Sequence, residues 1–211
     1  MAEESVTRES TKQATRLALI HAAMAEFAAK GFDAPSLDAI CARAGYTRGA
    51  FYVHFKNRDE LVVAVMEHAL HAFLDTVIAS GDAEDDLETT VKRFIAIALR
   101  PVGDPGEAKD VHQQIFGPPF HQLLEASRRS PQVRGAFVEI LQEAIGRVAT
   151  AARAGLEVGR LRSDVAPEEM ARILILLALG VRTVTDVGLP IDLEGTRDAA
   201  LKLLRTEGLS D

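Results

Sequence analysis

Residues 44–61, AGYTRGAFYVHFKNRDEL, place polar, basic and aromatic side chains close together. On a short helix that begins after Thr47, the residues Arg48, Tyr52 and Lys56 recur every four positions and share one exposed face. Guanidinium, hydroxyl and ammonium groups beside the free N–H groups of a helix start suit contacts with phosphates. This stretch therefore predicts a surface for nucleic acid.

Two phenylalanines occupy another face of the same predicted helix. Phe51 and Phe55 are four residues apart, so both can pack on a preceding helix. Gly49 has no side chain, so no group projects from the outward face of the helix at this position. A glycine costs about 1 kcal/mol in a helix interior, so its presence suggests close approach by a partner. The alternative is a solvated helix with a partly buried Tyr52, because polar stripes on helices are common.

The elements that position this helix are also predicted to be helices. Ser10 followed by Gln13 predicts a capping box for the first helix, and Gly31 is expected to end it. The apolar face of this helix is predicted to comprise Leu17, Ile20, Ala23, Met24 and Phe27. Ser36 is expected to cap a second short helix that ends at Gly45. Together, the second and third helices form a helix-turn-helix, whose second helix enters the major groove of DNA.

Helical patterns continue to the end of the chain. A capping-box pattern at Asn57 and Glu60 opens a long helix that runs to about residue 81. Further helices are predicted at about 84–100, 107–116, 118–129, 131–155, 167–187 and 192–205. No segment alternates like a strand for more than a few residues. The predicted fold class is therefore all-α, with a head of three short helices and a larger helical body.

Composition and charge set limits on the function. The chain has 211 residues and 47% hydrophobic content, which suits one or two globular domains. Residues 1–60 contain eight Lys/Arg and eight Asp/Glu, so the net charge of −7 arises in the rest of the chain. Nucleic-acid binding must therefore come from local placement of charge. A single cysteine and the lack of a long apolar run predict a soluble, cytoplasmic protein with no membrane association.

Residues from about 12 to 72 resemble the DNA-binding domain of tetracycline-repressor-type (TetR-family) regulators. The resemblance rests on Ala22, Phe27, Gly31, Phe32, residues 36–40 and residues 44–61. Family members are all-helical homodimers that usually repress transcription and release DNA when a small molecule enters the C-terminal domain. The resemblance implies an N-terminal arm at 1–11, a DNA-binding domain at 12–72 and a ligand-binding and dimerisation domain at 73–211.

The resemblance also implies roles for individual residues. Arg48 and Gly49 lie where family members contact bases. Contacts with phosphates, and sometimes with bases, are implied for Thr47, Tyr52, His54, Lys56 and Arg58, and Ser36 completes the expected DNA-binding set. Ala50 departs from the family pattern, because many members have Thr or Ser at this position. The resemblance implies no cofactor and does not name the effector.

Histidines and phenylalanines of the body form the expected ligand site. His112 and His121 flank the sequence IFGPPF, and Phe116 and Phe120 lie within it. An apolar pocket with a few polar groups has this composition, and so does the packing of two short helices, so both interpretations stay open. His68 and His71 are three residues apart and could hold a metal from one helix face, but no nearby residue completes the set, and no metal is expected.

Residues 173–179 are apolar on every side of their predicted helix, which implies burial within the body or between subunits. The resemblance favours a dimer bundle of this helix and the 131–155 helix, where small residues permit close approach. The expected interface residues are Ala144, Val148, Ala152, Ile173, Leu176, Leu177 and Gly180. The alternative is an unusually central helix in a monomer.

The expected function is a ligand-responsive transcriptional repressor that binds a palindromic operator as a homodimer. A helical enzyme that uses His112 or His121 with a carboxylate is a second hypothesis, but the sequence lacks a nucleophile motif, a phosphate loop and metal-ligand spacing. A third is an interaction module whose head contacts other proteins. A regulator must bind duplex DNA with an affinity that falls steeply with salt, which the other two need not do.

Overall fold

The computed structural model describes residues 2–77, 120–157, 159, 161 and 164–204. Their helices are α1 (Ala2–Lys30), α2 (Leu37–Ala44), α3 (Arg48–His54), α4 (Arg58–Val77), α5 (Phe120–Arg129), α6 (Pro131–Glu157), α7 (Pro167–Asp186) and α8 (Leu193–Leu204). This architecture confirms the predicted all-α class. The helices predicted at 84–100 and 107–116 lie outside the described residues. Across the described ranges, no helix is long and apolar enough to cross a membrane.

The chain divides into two compact units. The first comprises Met1–Leu70 and Asp110–Phe137, and the second comprises His71–Lys109 and Val138–Asp211. The first unit thus contains all of α1, α2, α3 and α5, together with most of α4 and the beginning of α6. The domain boundary expected near residue 72 stays a prediction, and the first segment of the first unit ends at Leu70.

The core of the first unit lies along one face of α1. Four of the five predicted apolar residues, Ile20, Ala23, Met24 and Phe27, are buried as expected. Leu17 is 41% exposed, so that part of the prediction was wrong. With 3.6 residues per turn, Leu17 falls at the edge of the buried arc, whose centre lies near Ala23.

The start of α1 differs from the prediction. The helix begins at Ala2, so Ser10 and Gln13 lie inside it, and the predicted capping box was wrong. An N-cap residue needs non-helical backbone, which a helix interior does not offer. Residues 2–12, AEESVTRESTK, contain neither Gly nor Pro, and their first turn carries two glutamates that favour a helix start.

The caps predicted around α2 and α3 were confirmed. The Ser36 hydroxyl accepts a hydrogen bond from the Ala39 N–H at 3.1 Å, and the Thr47 hydroxyl accepts one from the Ala50 N–H at 3.3 Å. Each cap satisfies an N–H group that has no partner within its helix, which contributes about 1 kcal/mol. These two short helices therefore begin where the sequence indicates.

The capping box predicted at α4 was confirmed in one of its two bonds. The Glu60 N–H donates to the Asn57 side-chain oxygen at 2.8 Å. The Glu60 carboxylate accepts from the Lys56 N–H at 2.5 Å, one residue before the Asn57 N–H that a capping box uses. The buried residues of α4 include Leu61, Val65, Met66 and Leu74. The predicted end of this helix near residue 81 lies outside the described residues.

The second unit has its own core, formed by α6, α7 and α8. Its buried residues are Val148, Ala149, Ala152, Leu161, Met170, Ala171 and Leu201. The helices predicted at 131–155, 167–187 and 192–205 agree with the observed bounds to within two residues. Pro131 and Pro167 each occupy a first helical position, where the missing N–H costs nothing.

Candidate nucleic-acid interface

A tight turn sets the angle between α2 and α3. Gly45 has φ +76°, in the left-handed region that glycine adopts at little cost. Its N–H donates to the Ala42 carbonyl at 3.1 Å, and the Tyr46 N–H donates to the Cys41 carbonyl at 2.9 Å. This pair of bonds is a Schellman motif, which closes α2 and redirects the chain into α3.

Two buried aromatic rings fix α3 to the rest of the head. Phe51 and Phe55 are fully buried, and their ring centroids lie 5.4 Å apart. The Arg16 guanidinium of α1 lies over the Phe55 ring, 5.2 Å from its centroid. Burial of each phenylalanine contributes about 1.5–3 kcal/mol. The predicted division of the aromatics is confirmed, because both anchors face inward.

The opposite face of α3 is open to solvent. The Arg48 side chain and Tyr52 are about half exposed, at 55% and 52%. Gly49 is exposed, and among the described residues an added Cβ would meet only the Thr47 hydroxyl oxygen, at 3.6 Å. The packing of this described part of the chain therefore does not require a glycine at position 49. A partner that approaches α3 closely would require one.

Lys56 does not continue the stripe of Arg48 and Tyr52. It is exposed, but α3 ends at His54, and Phe55 has extended backbone with φ −138° and ψ 127°. The four-residue period stops there, so the prediction of one helical stripe from 48 to 56 was wrong. Lys56 lies instead in the link between α3 and α4.

Arg48 is held by two neighbours. Its Nη1 atom lies 3.5 Å from Oδ2 of Asp38 on α2. A hydrogen bond with Tyr52, and next the charge of Asp38, raise the pKa of Arg48. The guanidinium is therefore a permanent cation on the outward surface of the helix-turn-helix.

Basic residues of α1 extend this surface. Burial lowers the pKa of His54, and the positive charges of Lys12 and Arg16 lower the pKa further. We call Lys12, Arg16 and His54 the α1–α3 basic cluster. Lys12 and Arg16 were not among the predicted site residues, although their spacing of four residues places both on one face of α1.

Ser36 and Thr47 are exposed at the starts of α2 and α3. Each side-chain oxygen accepts the capping bond described above, and each hydroxyl proton is left to donate elsewhere. A phosphate at these helix starts would also benefit from the helix dipole. The geometry is thus compatible with the predicted role of both residues.

Arg58 serves the fold of the head. Its Nη2 atom donates to the Phe32 carbonyl at 2.5 Å, and its guanidinium lies over the Phe27 ring at 5.4 Å from the centroid. Burial lowers the pKa of Arg58. The side chain holds the turn between α1 and α2, so we do not retain the expectation that it contacts phosphate.

Helix α5 holds the same turn from another side. Gln122 Oε1 accepts the Phe32 N–H at 3.2 Å, and Arg129 Nη2 lies 2.6 Å from Oδ2 of Asp33. These contacts explain why residues 110–137 belong to the first unit. They join positions roughly 90 or more residues apart, which no local pattern in the sequence indicates.

The predicted ligand residues are only partly described. His112 and Phe116 lie outside the described residues. Phe120 is half-buried on α5, with its ring centroid 6.0 Å from that of Phe137, and His121 is exposed. The expected ligand site stays a prediction.

His68 and His71, which were considered as metal ligands, contact different residues. His68 Nε2 lies 3.2 Å from His21 Nε2, whereas His71 Nε2 lies 3.2 Å from Oε2 of Glu143. Within the described ranges, no group of three or more His, Cys, Asp or Glu residues is arranged to hold a metal ion.

The predicted dimer residues fall into two classes. Ala144, Val148 and Ala152 are buried inside the chain itself, so their assignment to a subunit interface was wrong. Val148 and Ala152 pack in the core of the second unit with Met170 and Ala171. A helix rich in small residues fits a neighbouring helix of its own chain as well as a second subunit, and the sequence does not distinguish the two.

The residues predicted on α7 remain accessible. Ile173 and Leu176 are 55% and 67% exposed, Gly180 is exposed and Leu177 is half-buried. The described part of the chain therefore leaves several residues of this apolar run open to solvent, and their role in a subunit interface stays a prediction.

Comparison with known proteins identifies relatives of the N-terminal unit. Residues 19–65 match the family profile described as bacterial regulatory proteins, tetR family. The chain is 40% identical over 82 residues to ArpR of Pseudomonas putida, a probable HTH-type transcriptional regulator. It is 38% identical over 82 residues to TtgR, an HTH-type transcriptional regulator of Pseudomonas putida. Each match covers 39% of this chain and 38% of the relative, so it spans less than half the length of either protein.

Solved structures match over almost the whole chain. A complex of SmeT with triclosan is 26% identical, with a TM-score of 0.69 over 94% of this chain and 95% of SmeT. Another SmeT structure, described as the repressor of the Stenotrophomonas maltophilia multidrug efflux pump SmeDEF, is 27% identical with a TM-score of 0.64. Reduced NemR of E. coli has a TM-score of 0.73 at 20% identity, which shows a shared fold.

Proposed function

We propose that this chain, which belongs to the TetR family of bacterial regulatory proteins, is a transcriptional regulator that binds duplex DNA through α2 and α3. One observation carries the proposal: Phe51 and Phe55 anchor α3 so that Arg48 and Tyr52 face solvent. An exposed, rigidly held helix from which no side chain projects at Gly49 suits insertion into the major groove.

Arg48 is the proposed base-contacting residue, because a guanidinium can donate two parallel hydrogen bonds to guanine O6 and N7. The proposed phosphate contacts are Ser36, Thr47, Tyr52, His54 and Lys56. Lys12 and Arg16 join them as cations of the α1–α3 basic cluster. Phosphate contacts position the protein on DNA, whereas base contacts determine the sequence.

The proposed assembly is a homodimer formed through α7. Ile173, Leu176 and Gly180 are spaced three and four residues apart and form an accessible stripe. On α6, Gly146 is exposed, and an added Cβ there would meet no atom within 4 Å. Close approach of a second copy would bury this surface and present two helix-turn-helix units to a palindromic operator.

The proposed response is release of DNA when a small molecule binds, so that the regulator acts as a cytoplasmic repressor. The SmeT structures, one of them with triclosan, support a small-molecule effector. The candidate contacts are His112, Phe116, Phe120 and His121. The proposal assigns no catalysis and no cofactor to this chain.

A binding titration on the DNA next to the gene tests this function. Fluorescence anisotropy would compare a labelled duplex containing a palindrome from that region with a scrambled duplex, at several salt concentrations. The proposal requires tighter binding to the palindrome and a linear decrease of log K with log salt. Equal binding to both duplexes, or no binding at low salt, would contradict it.

The effector is tested with the same complex. A thermal-shift screen identifies compounds that raise the melting temperature, because binding to the folded state stabilises it by mass action. Each hit is then added to the protein–DNA complex. A compound that stabilises the protein and releases the operator supports the proposed response, whereas hits that never change DNA affinity would contradict it.

A further inference from the structure

We propose that Asp38 is a specificity-determining residue that orients Arg48 for one base pair. The inference rests on the proposed DNA-binding function and extends it to a residue of α2. Asp38 is an acid on a surface proposed to face phosphates, where a carboxylate is expected to weaken binding. Its position beside Arg48 gives a physical reason for its presence.

The geometry connects the two helices at their starts. Asp38 lies in the first turn of α2, two residues after the N-cap Ser36, where a carboxylate is favoured by the helix dipole. Arg48 is the first residue of α3. The Asp38 Oδ2 atom lies 3.5 Å from Arg48 Nη1, and the Tyr52 hydroxyl interacts with the same guanidinium from within α3. Arg48 is thus held between one neighbour on each helix.

This ion pair contributes little to the stability of the fold. The side chains of Arg48 and Asp38 are 55% and 69% exposed, and a pair so open to solvent contributes little to folding. The effect of the pair is on the conformation of a long, flexible side chain. A free arginine loses rotamer entropy when it is fixed against a base. A side chain that is already oriented loses less on binding.

Arg48 keeps enough donors to contact a base. A guanidinium has five N–H groups, and contacts with Asp38 and Tyr52 leave donors for O6 and N7 of guanine. Asp38 therefore restricts the direction of Arg48 without removing its ability to form a bidentate contact. Loss of that restriction would let Arg48 contact phosphates or other bases.

Asp38→Asn should change the affinity for scrambled DNA and the affinity for the operator by different amounts. Asp38→Asn removes a negative charge near the phosphates, so binding to scrambled DNA should become tighter. It also frees Arg48, so binding to the operator should gain less than this or become weaker. The ratio of operator to scrambled affinity should therefore fall about fivefold or more, within the range attributed to one bidentate base contact.

The experiment compares four proteins by fluorescence anisotropy: wild type, Asp38→Asn, Arg48→Ala and the double variant. The duplexes are the operator, a scrambled sequence and operator variants that change one base pair at a time. Asp33→Asn is the matched control, because Asp33 is an acid of the same head with similar exposure that pairs with Arg129. Thermal melts establish that each variant is folded.

The proposal expects Asp38→Asn to relax preference at the base pair where Arg48→Ala does so, and to have no further effect on preference in the Arg48→Ala background. The control should leave preference unchanged. Equal tightening on every duplex would overturn the proposal and make Asp38 a simple counter-charge. A wild-type protein that binds no duplex would contradict the proposed function itself, and this inference with it.

Discussion

Replacement of Gly31 by alanine tests how α5 holds the helix-turn-helix in place. Gly31 ends α1 with φ +83°, and an added Cβ would lie 2.6 Å from the Gln122 side-chain oxygen. That oxygen accepts the Phe32 N–H at 3.2 Å. The substitution therefore combines left-handed backbone strain with displacement of Gln122 and the loss of its hydrogen bond.

The two effects have separable magnitudes. An alanine in left-handed backbone costs about 1–2 kcal/mol. Loss of the partner of a buried N–H group costs about 1–3 kcal/mol. Gly31→Ala should therefore lower the free energy of unfolding by about 2–5 kcal/mol. Gly45→Ala is the matched control, because Gly45 has φ +76° and an added Cβ there meets no atom within 4 Å. It should show the strain alone.

Urea denaturation followed by circular dichroism measures both variants, together with Gln122→Ala and the double variant Gly31→Ala, Gln122→Ala. In the double variant the steric conflict is gone, so it should be more stable than the sum of the single effects predicts. If Gly31→Ala and Gly45→Ala have equal effects, or if the double variant is strictly additive, the contact between Gln122 and the turn does not have the role assigned to it.

Three further predictions concern charge, pH and assembly. Burial and the charges of Lys12 and Arg16 lower the pKa of His54, so its imidazole should take up a proton from solution when phosphates approach. Operator affinity should therefore rise as the pH is lowered, and His54→Gln should abolish this dependence in anisotropy titrations. Hydrogen bonds from Lys30 and then Arg43 outweigh desolvation and lower the pKa of Glu26. The ionised Glu26 carboxylate should therefore stabilise the fold above pH 4.5, and this stabilisation should be lost as the pH falls. Glu26→Gln should reduce the dependence of the free energy of unfolding on pH, measured by urea titrations below pH 4.5. Leu176→Arg should give a soluble monomer, because Leu176 is exposed in one chain and the new charge would be buried only in the dimer. Light scattering should give a mass of 22.8 kDa, half that of the proposed dimer. The control Leu203→Arg, at an exposed position of α8, should remain dimeric. A dimeric Leu176→Arg protein would remove this residue from the interface.

Local signals account for the parts of the head that the sequence predicted. Ser36, Thr47 and Gly45 each act within a few residues of their own position, so a cap or a turn is visible in a short window. The burial of Phe51 and Phe55 follows from helical periodicity alone. Ser10 shows the limit of such signals, because its capping pattern falls inside a helix that already begins at Ala2 and that contains no Gly or Pro before it.

Long-range contacts account for most of what the sequence did not predict. Arg58 resembles a surface cation until the Phe32 carbonyl and the Phe27 ring are placed beside it. Likewise, the role of Gln122 depends on a turn 90 residues away. The small residues of α6 gave no indication of which helix would cover them, and Ala152 proved to face the core of its own unit.

We propose that α3 determines which DNA sequence the protein binds, so Arg48→Ala and Lys56→Ala should have different effects. Anisotropy titrations on operator and scrambled duplexes, from low to moderate salt, would measure affinity and salt dependence for both variants. Arg48→Ala should cost about 1–3 kcal/mol per half-site on the operator and relax preference at one base pair. Lys56→Ala should weaken binding to both duplexes and lower the salt slope by about one per protomer. If both variants lose affinity equally on both duplexes, Arg48 is only another phosphate contact, and the claim is contradicted.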